Sequence, residues 1–229
     1  MALENRALAI DSTWDDNTMA ATDYRRRNVH PYLNARGIPV EELAGVDANH
    51  AKAEREATTK GIAYITGVSH GTGDCFAGDQ DRPVFQIGAY DLAAVRKKIV
   101  HFLACNTALY LGRNLIDPGG AAAFFGYIGP FAWPVEAGGA YEELFFDCDA
   151  EIDRALADGD TAFNAGKRAI DKFDEQIAAL RANGDTASVH AAAVLEHTRD
   201  LLRGPHSGRE YGDGNATVKK VLTVANGGP

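Results

Sequence analysis

The chain has 229 residues, of which 45% are hydrophobic, and a formal net charge of −9. A chain of this size can bury a substantial core, so we expect a single domain over residues 1–229 that folds without disulfides or a structural metal. The acidic balance excludes a general nucleic-acid binder, because neutralising phosphates requires a basic surface. The one basic cluster, at residues 25–27, is typical of a solvated helix face.

The apolar runs, the N-terminal residues and the number of cysteines indicate the cellular compartment of the protein. Every apolar run is shorter than the roughly 20 residues that a membrane span needs, and the N-terminus does not resemble a signal peptide. Three cysteines are too few for a secreted disulfide framework, which favours reduced thiols. We therefore expect a soluble, cytoplasmic protein without a membrane partner.

Strand and helix patterns alternate over the first 130 residues. Strands are predicted at residues 6–10, 38–40, 62–68, 84–87, 99–103 and 121–128. Helices are predicted at residues 17–35, 47–60, 91–98 and 107–115, the first of them kinked or ended by Pro31. Such alternation favours an α/β fold with a mostly parallel sheet.

The last third of the chain is predicted to be helical. Helices are predicted at residues 141–156, 160–181 and 185–202, within a helical segment at about 139–203. Asp160 and Asp185 are expected N-caps, and Gly184 suits the end of the middle helix. A turn then leads into a predicted C-terminal strand at about 216–224.

A glycine-rich, acidic segment at residues 71–79 predicts a loop without regular structure. Gly73 and Gly78 have the spacing of a phosphate-binding loop, but Asp79 and Gln80 stand where that motif needs Lys and Ser or Thr. An aspartate there would repel phosphate. We therefore exclude a phosphate-binding loop.

Zinc is a second alternative, because four residues of ligand type occur in this region: His70, Cys75, His101 and Cys105. Their spacings match no closed structural zinc site. His101 is better interpreted as a hydrogen-bonded histidine of the core. The sequence therefore predicts no metal and no cofactor.

Two predicted strands end on residues that can perform covalent chemistry. His70 follows the strand at 62–68, and Cys105 follows the strand at 99–103. Because ligands bind beyond the carboxyl ends of strands in an open α/β sheet, both side chains would face one crevice. A cysteine in a strand is commonly inert, but the helix predicted after Cys105 would stabilise a thiolate with its N-terminal amides. The N–H groups of Gly71 and Cys105 would form an oxyanion hole.

These segments resemble the caspase-like cysteine peptidases. Residues 62–73 read IAYITGVSHGTG and residues 99–108 read IVHFLACNTA. The gingipain-like and CHAT-domain members are the most similar in character, and the 35 positions from His70 to Cys105 suit that compact branch. Residues 119–127 also look like the strand after the nucleophile helix. The similarity covers about residues 6–133 and the C-terminal strand, but not the helices between.

The resemblance implies a caspase-like three-layer sandwich and a cysteine endopeptidase. Cys105 would be the nucleophile and His70 the general acid/base, with Gly71 and Cys105 forming the oxyanion hole. The implied partners are a peptide or protein substrate and a regulatory protein. Two alternatives remain open: a transamidase that uses the same dyad, and a catalytically silent scaffold that binds peptides or proteins.

The resemblance also suggests where a substrate side chain binds, because the loop after the first strand helps line the specificity pocket in this family. The candidate substrate-binding residues are Asp11, Ser12, Trp14, Asp15 and Asp74. Their carboxylates would pair with a guanidinium, which predicts cleavage after Arg or Lys. Leu103 weighs against this, since relatives that cleave after basic residues often carry an acidic residue there. The alternatives are that Asp15 and Asp16 cap the following helix, or that the carboxylates, with Asp79 among them, bind calcium.

Overall fold

The computed structural model describes residues 5–59, 61–134 and 141–218. Its strands are β1 (Arg6–Asp11), β2 (Val40–Ala44), β3 (Ile62–Val68), β4 (Cys75–Ala77), β5 (Pro83–Gln86), β6 (Ile99–Leu103), β7 (Ala123–Tyr127) and β8 (Leu202–Arg203). Six of them form one sheet in the order β2-β1-β3-β6-β7-β8. The pairs from β2 to β7 are parallel, and β8 is antiparallel to β7. The fold is therefore α/β with a mostly parallel sheet, as the alternation predicted.

Helices cover both faces of this sheet. They are α1 (Asp16–Asn28), α2 (His30–Ala35), α3 (His50–Ala57), α4 (Leu92–Val95), α5 (Leu111–Ile116), α6 (Glu142–Asp149), α7 (Glu151–Asp158), α8 (Ala162–Asn183) and α9 (Thr186–Leu201). One core packs α1, α2 and α6 to α9 against the sheet, and a second core packs α3, α4, α5 and the β4–β5 hairpin against the other face. The result is a three-layer α/β arrangement. None of the helices described is both long and apolar enough to cross a bilayer.

Alternation along β6 shows how one strand serves both cores. Ile99 and Leu103 belong to the core on the α1 face, whereas Val100 and Phe102 belong to the other core. Successive side chains of a strand point to opposite faces, so a strand covered on both sides is mostly apolar, and in β6 the one polar residue is His101. Phe102 stacks on Phe76 of the hairpin with ring centroids 3.9 Å apart.

The hairpin corrects one prediction. Residues 71–79 were expected to lack regular structure, but they contain β4, which pairs with β5. Phe76 is fully buried, and its packing on the sheet outweighs the surrounding glycines and acidic residues.

The C-terminal third also differs in detail from the prediction. The helix predicted at 141–156 is broken at Ala150 into α6 and α7. Thr161, rather than Asp160, caps α8, while Asp185 caps α9 and Gly184 ends α8 with a φ of 73°, as expected. The antiparallel strand is Leu202–Arg203. Residues 216–218 of the predicted last strand are not in a strand, and residues 219–224 lie outside the described residues.

A buried ionic cluster lies between the sheet and the α1 face. Arg25 is 1% exposed, which corrects its interpretation as part of a solvated cluster, and its Nε donates to Asp11 Oδ1 at 3.0 Å. Its Nη1 donates to Asp153 Oδ2 at 3.3 Å. His101 is fully buried in the same cluster, with its two ring nitrogens 3.2 Å from Asp149 and Asp153. The prediction of His101 as a hydrogen-bonded core histidine is confirmed.

Protonation of His101 makes stability depend on pH. Burial alone would lower the pKa of His101, but the carboxylates of Asp149 and Asp153 raise it to about 9. The unfolded value is about 6.5, so this contribution is complete below pH 6.5 and is lost as the pH rises through 9. We expect the free energy of unfolding to fall by on the order of 3 kcal/mol over that window.

Urea denaturation at pH 6.5, 7.5 and 9 measures this effect. The His101→Gln variant should lose the alkaline decline, whereas the exposed His197→Gln variant should retain it. A wild-type curve that parallels that of His101→Gln would contradict the assignment of the charge to His101.

Candidate active site

Three neighbouring strands end at the same level of the sheet. Val68 of β3 pairs with Asp11 of β1 on one side and with Leu103 of β6 on the other. His70 and Cys105 each follow two residues after this row. Both line one pocket of about 230 Å³. The structure thus brings together the two residues that the sequence singled out.

Gly71 allows the two loops to touch. A Cβ atom at this position would lie 2.6 Å from the Cys105 carbonyl oxygen and 2.7 Å from Thr107 Cγ2. Real Cβ atoms do not approach so closely, so any side chain at 71 would push the histidine loop away from the cysteine loop. Glycine is required here by space and not by an unusual φ.

The backbone N–H groups beside the thiol suit an oxyanion hole. Gly71 forms an isolated antiparallel bridge with Phe76, in which its neighbours make the hydrogen bonds: Thr72 N–H to Cys75 O (2.9 Å) and Ala77 N–H to His70 O (3.0 Å). In such a pair the N–H of Gly71 itself points away from the hairpin. The Cys105 N–H has no hydrogen-bond acceptor within the described residues.

Cys105 lies on a turn and not at a helix start. The helix predicted from Thr107 begins only at Leu111, so the expected stabilisation of a thiolate by helix amides is wrong for this structure. The turn is fixed by Asn106, whose φ is 62° and whose N–H donates to Gly129 O at 3.0 Å. Asparagine is among the few residues that tolerate this left-handed conformation.

His70 is oriented by a carboxylate. Its Nε2 lies 2.5 Å from Asp15 Oδ2, and both side chains are about 40% exposed (41% and 37%). Asp15 also accepts the Thr18 N–H at 2.8 Å as the N-cap of α1, which confirms the capping alternative for Asp15, whereas Asp16 is the first residue of the helix. Burial opposes ionisation, but the hydrogen bonds from Thr18 and His70 lower the pKa of Asp15. The carboxylate is therefore charged at neutral pH, and the pairing leaves Nδ1 of His70 for proton exchange.

Two of the expected substrate-binding residues are buried. Asp11 has no exposed surface, and its carboxylate pairs with Arg25 inside the core. Ser12 is 1% exposed and donates to Gly78 O at 3.3 Å. Neither can contact a substrate, because each side chain is already held beneath the surface by a tertiary partner.

The other expected substrate-binding residues lie outside the pocket lining. Trp14 is half exposed but is not part of the wall. Asp74 is exposed and accepts the Thr72 hydroxyl at 2.6 Å. Asp15 is engaged by His70. None of the three carboxylates on which the predicted preference for Arg or Lys was based lies in the lining of the pocket.

The pocket walls include residues that the sequence did not indicate. They come from α1, from the segment after β7 and from α6: Asn17, Thr18, Ala21, Phe131, Trp133 and Phe146. Val68, Ser69, Leu103 and Ala104 complete the lining near the strand ends, together with His70 and Cys105. Three separate segments meet here only in the folded protein, so no local pattern could have revealed them.

The residues considered as zinc ligands do not form one set in the part of the chain that the structure describes. Both ring nitrogens of His101 face buried carboxylates. Cys75 lies in the hairpin, and burial together with Asp74 raises the pKa of its thiol to about 11. A high thiol pKa disfavours the thiolate form that binds zinc.

The sequence matches no protein-family model, and a search of curated proteins gives no match either. Function must therefore be argued from the site itself. What the site offers is a partly exposed thiol, an imidazole held by a carboxylate, unused backbone donors and an adjoining pocket. This set of groups is suited to acyl transfer through a thioester.

Proposed function

We propose that the chain is a caspase-like cysteine endopeptidase in which Cys105 is the nucleophile and His70 the general acid/base. The observation that carries this proposal is the convergence of His70 and Cys105 in the lining of one pocket, where adjoining parallel strands end. A mostly parallel sheet covered on both faces supports a caspase-like form of the α/β sandwich. The substrate is a peptide or protein, and the chemistry requires no cofactor.

In the first half of the reaction, His70 takes the thiol proton and the sulfur attacks the carbonyl carbon of the scissile bond. The carbonyl electron pair moves to oxygen, where the N–H groups of Gly71 and Cys105 stabilise the negative charge. Collapse of this intermediate breaks the C–N bond, and the leaving amine takes the proton from His70. A thioester to Cys105 remains.

In the second half, His70 accepts a proton from water while the water oxygen attacks the thioester. Collapse releases the carboxylic acid product, and the sulfur leaves and regains a proton. An amine in place of water would give a transamidase by the same steps. Asp15 does not touch the substrate in this scheme. It positions the ring of His70 and stabilises the imidazolium that forms in both halves.

Selective alkylation tests the nucleophile assignment. We expect iodoacetamide at pH 7 to modify Cys105 at least about tenfold faster than Cys75 or Cys148, because the thiolate is the reactive form. Burial raises the pKa of Cys75 to about 11, and burial together with Asp147 raises that of Cys148 further. Peptide mass spectrometry at timed intervals reports each rate. Faster labelling of Cys75 or Cys148 would contradict the assignment.

A peptide library then separates the three functions that share this site. Mass spectrometry of the products should show new carboxyl termini, as an endopeptidase requires. Products joined to an added amine would identify a transamidase. An intact library, with Cys105 alkylated no faster than the other cysteines, would identify a binding scaffold.

A further inference from the structure

The pocket beside Cys105 is walled mainly by apolar side chains. Trp133 packs edge to face on both Phe131 and Phe146, with the ring centroids of Trp133 and Phe146 5.1 Å apart. Ala21 and Leu103 contribute to the lining, and both are almost fully buried. Packed aromatic rings hold the shape of such a wall before any ligand arrives.

Charged groups are absent from this lining among the described residues, apart from His70. The carboxylates nearest in the chain are already used, since Asp11 pairs with Arg25 and Asp15 with His70. The Thr18 hydroxyl donates to Asp15. A substrate guanidinium or ammonium would therefore lose its hydration without gaining a counter-charge. A substrate carboxylate would meet only His70, which Asp15 already pairs.

We infer that this pocket binds an uncharged, apolar side chain of leucine or methionine size on the residue whose carbonyl Cys105 attacks. The inference rests on the proposed function and names the substrate class of the same site. A cavity of about 230 Å³ that adjoins the thiol accommodates one side chain of this size. Removing that side chain from water strengthens binding, whereas a charged side chain is rejected.

Peptidyl acyloxymethyl ketones that differ only in the residue beside the ketone test the inference without requiring turnover. The Cys105 sulfur displaces the carboxylate leaving group and forms a stable thioether, which mass spectrometry detects. We expect the Leu and Met probes to modify Cys105 at least about 100-fold faster than the Arg, Lys and Asp probes. An Asn probe belongs in the panel, because Ser69 Oγ is buried in the lining without a hydrogen-bond partner among the described residues.

A charge placed in the wall should shift this preference. Asn17 is exposed and lines the pocket, so Asn17→Asp adds a carboxylate of nearly the same shape. We expect the ratio of Leu to Arg labelling rates to fall about tenfold. Because the readout is a ratio between probes, any effect of the new charge on His70 or Cys105 cancels. Asn164→Asp is the control, since Asn164 is exposed in the first turn of α8 and should leave the ratio unchanged.

The outcomes distinguish the two proposals. Fastest labelling by the Arg, Lys, Asp or Asn probe would overturn the apolar specificity and leave the peptidase proposal standing. Failure of every probe to modify Cys105, with the library also intact, would overturn the peptidase proposal and the inference with it. An unchanged ratio in Asn17→Asp would show that the side chain binds elsewhere.

Discussion

Cys105→Ala and His70→Ala should each reduce peptide cleavage by at least about 10³-fold in kcat/KM. The first removes the atom that bonds to the substrate, and the second removes the group that takes and returns its proton. Residues that act as one catalytic unit give losses that do not add, so the double variant should be about as inactive as either single variant. Steady-state hydrolysis of a fluorogenic peptide identified from the library measures all three.

The fold should survive these substitutions, because neither side chain fills the core. His70 is 41% exposed in its side chain, and Cys105 is partly exposed. Thermal unfolding should therefore remain cooperative in both variants. Cys75→Ala is the matched control: it removes a thiol of the neighbouring hairpin and should leave cleavage within a few-fold of wild type. Cleavage retained by Cys105→Ala would eliminate the thioester mechanism.

The strands that precede His70 and Cys105 could be predicted from the sequence, because their buried residues form short apolar runs. β3 and β6 begin and end at the residues expected, since parallel strands covered on both faces are mostly apolar runs. Because β3 and β6 are expected to pair in parallel, their carboxyl ends lie side by side at the same edge of the sheet. The positions of His70 and Cys105 follow from that edge.

The burial and the partners of the acidic residues could not be predicted from local sequence, because they depend on tertiary contacts. Asp11 and Asp15 both looked like acidic residues of an exposed loop, but one is sealed in the core by Arg25 and the other is held at the surface by His70. The distinction depends on side chains far along the chain. β8 escaped prediction for a different reason, because two residues are too few for a strand period and they directly follow a helix.

Asp153→Asn should lower the free energy of unfolding by about 3–5 kcal/mol, because it removes the shared counter-charge of two buried cations. Asp153 is fully buried on α7 and accepts hydrogen bonds from Arg25 Nη1 (3.3 Å), Tyr64 OH (2.7 Å) and Thr66 Oγ1 (2.9 Å). Its other close contact is His101 Nδ1, at 3.2 Å. An asparagine amide can keep its oxygen toward Arg25 and His101, which contact Oδ2, only by turning its NH₂ group toward the hydroxyls of Tyr64 and Thr66, which contact Oδ1. Even in that orientation it supplies no negative charge to the two cations.

Asp158→Asn is the matched control for this prediction. Asp158 ends the same helix and pairs with Arg36 and Arg168, but its side chain is 31% exposed. Pairs in contact with solvent contribute little, so this variant should lose less than about 1 kcal/mol. Urea denaturation at pH 7 compares the two. Equal stabilities of Asp153→Asn and Asp158→Asn would mean that water or a rearranged side chain satisfies Arg25 and His101, and that the ionic cluster does not anchor the C-terminal helices to the sheet.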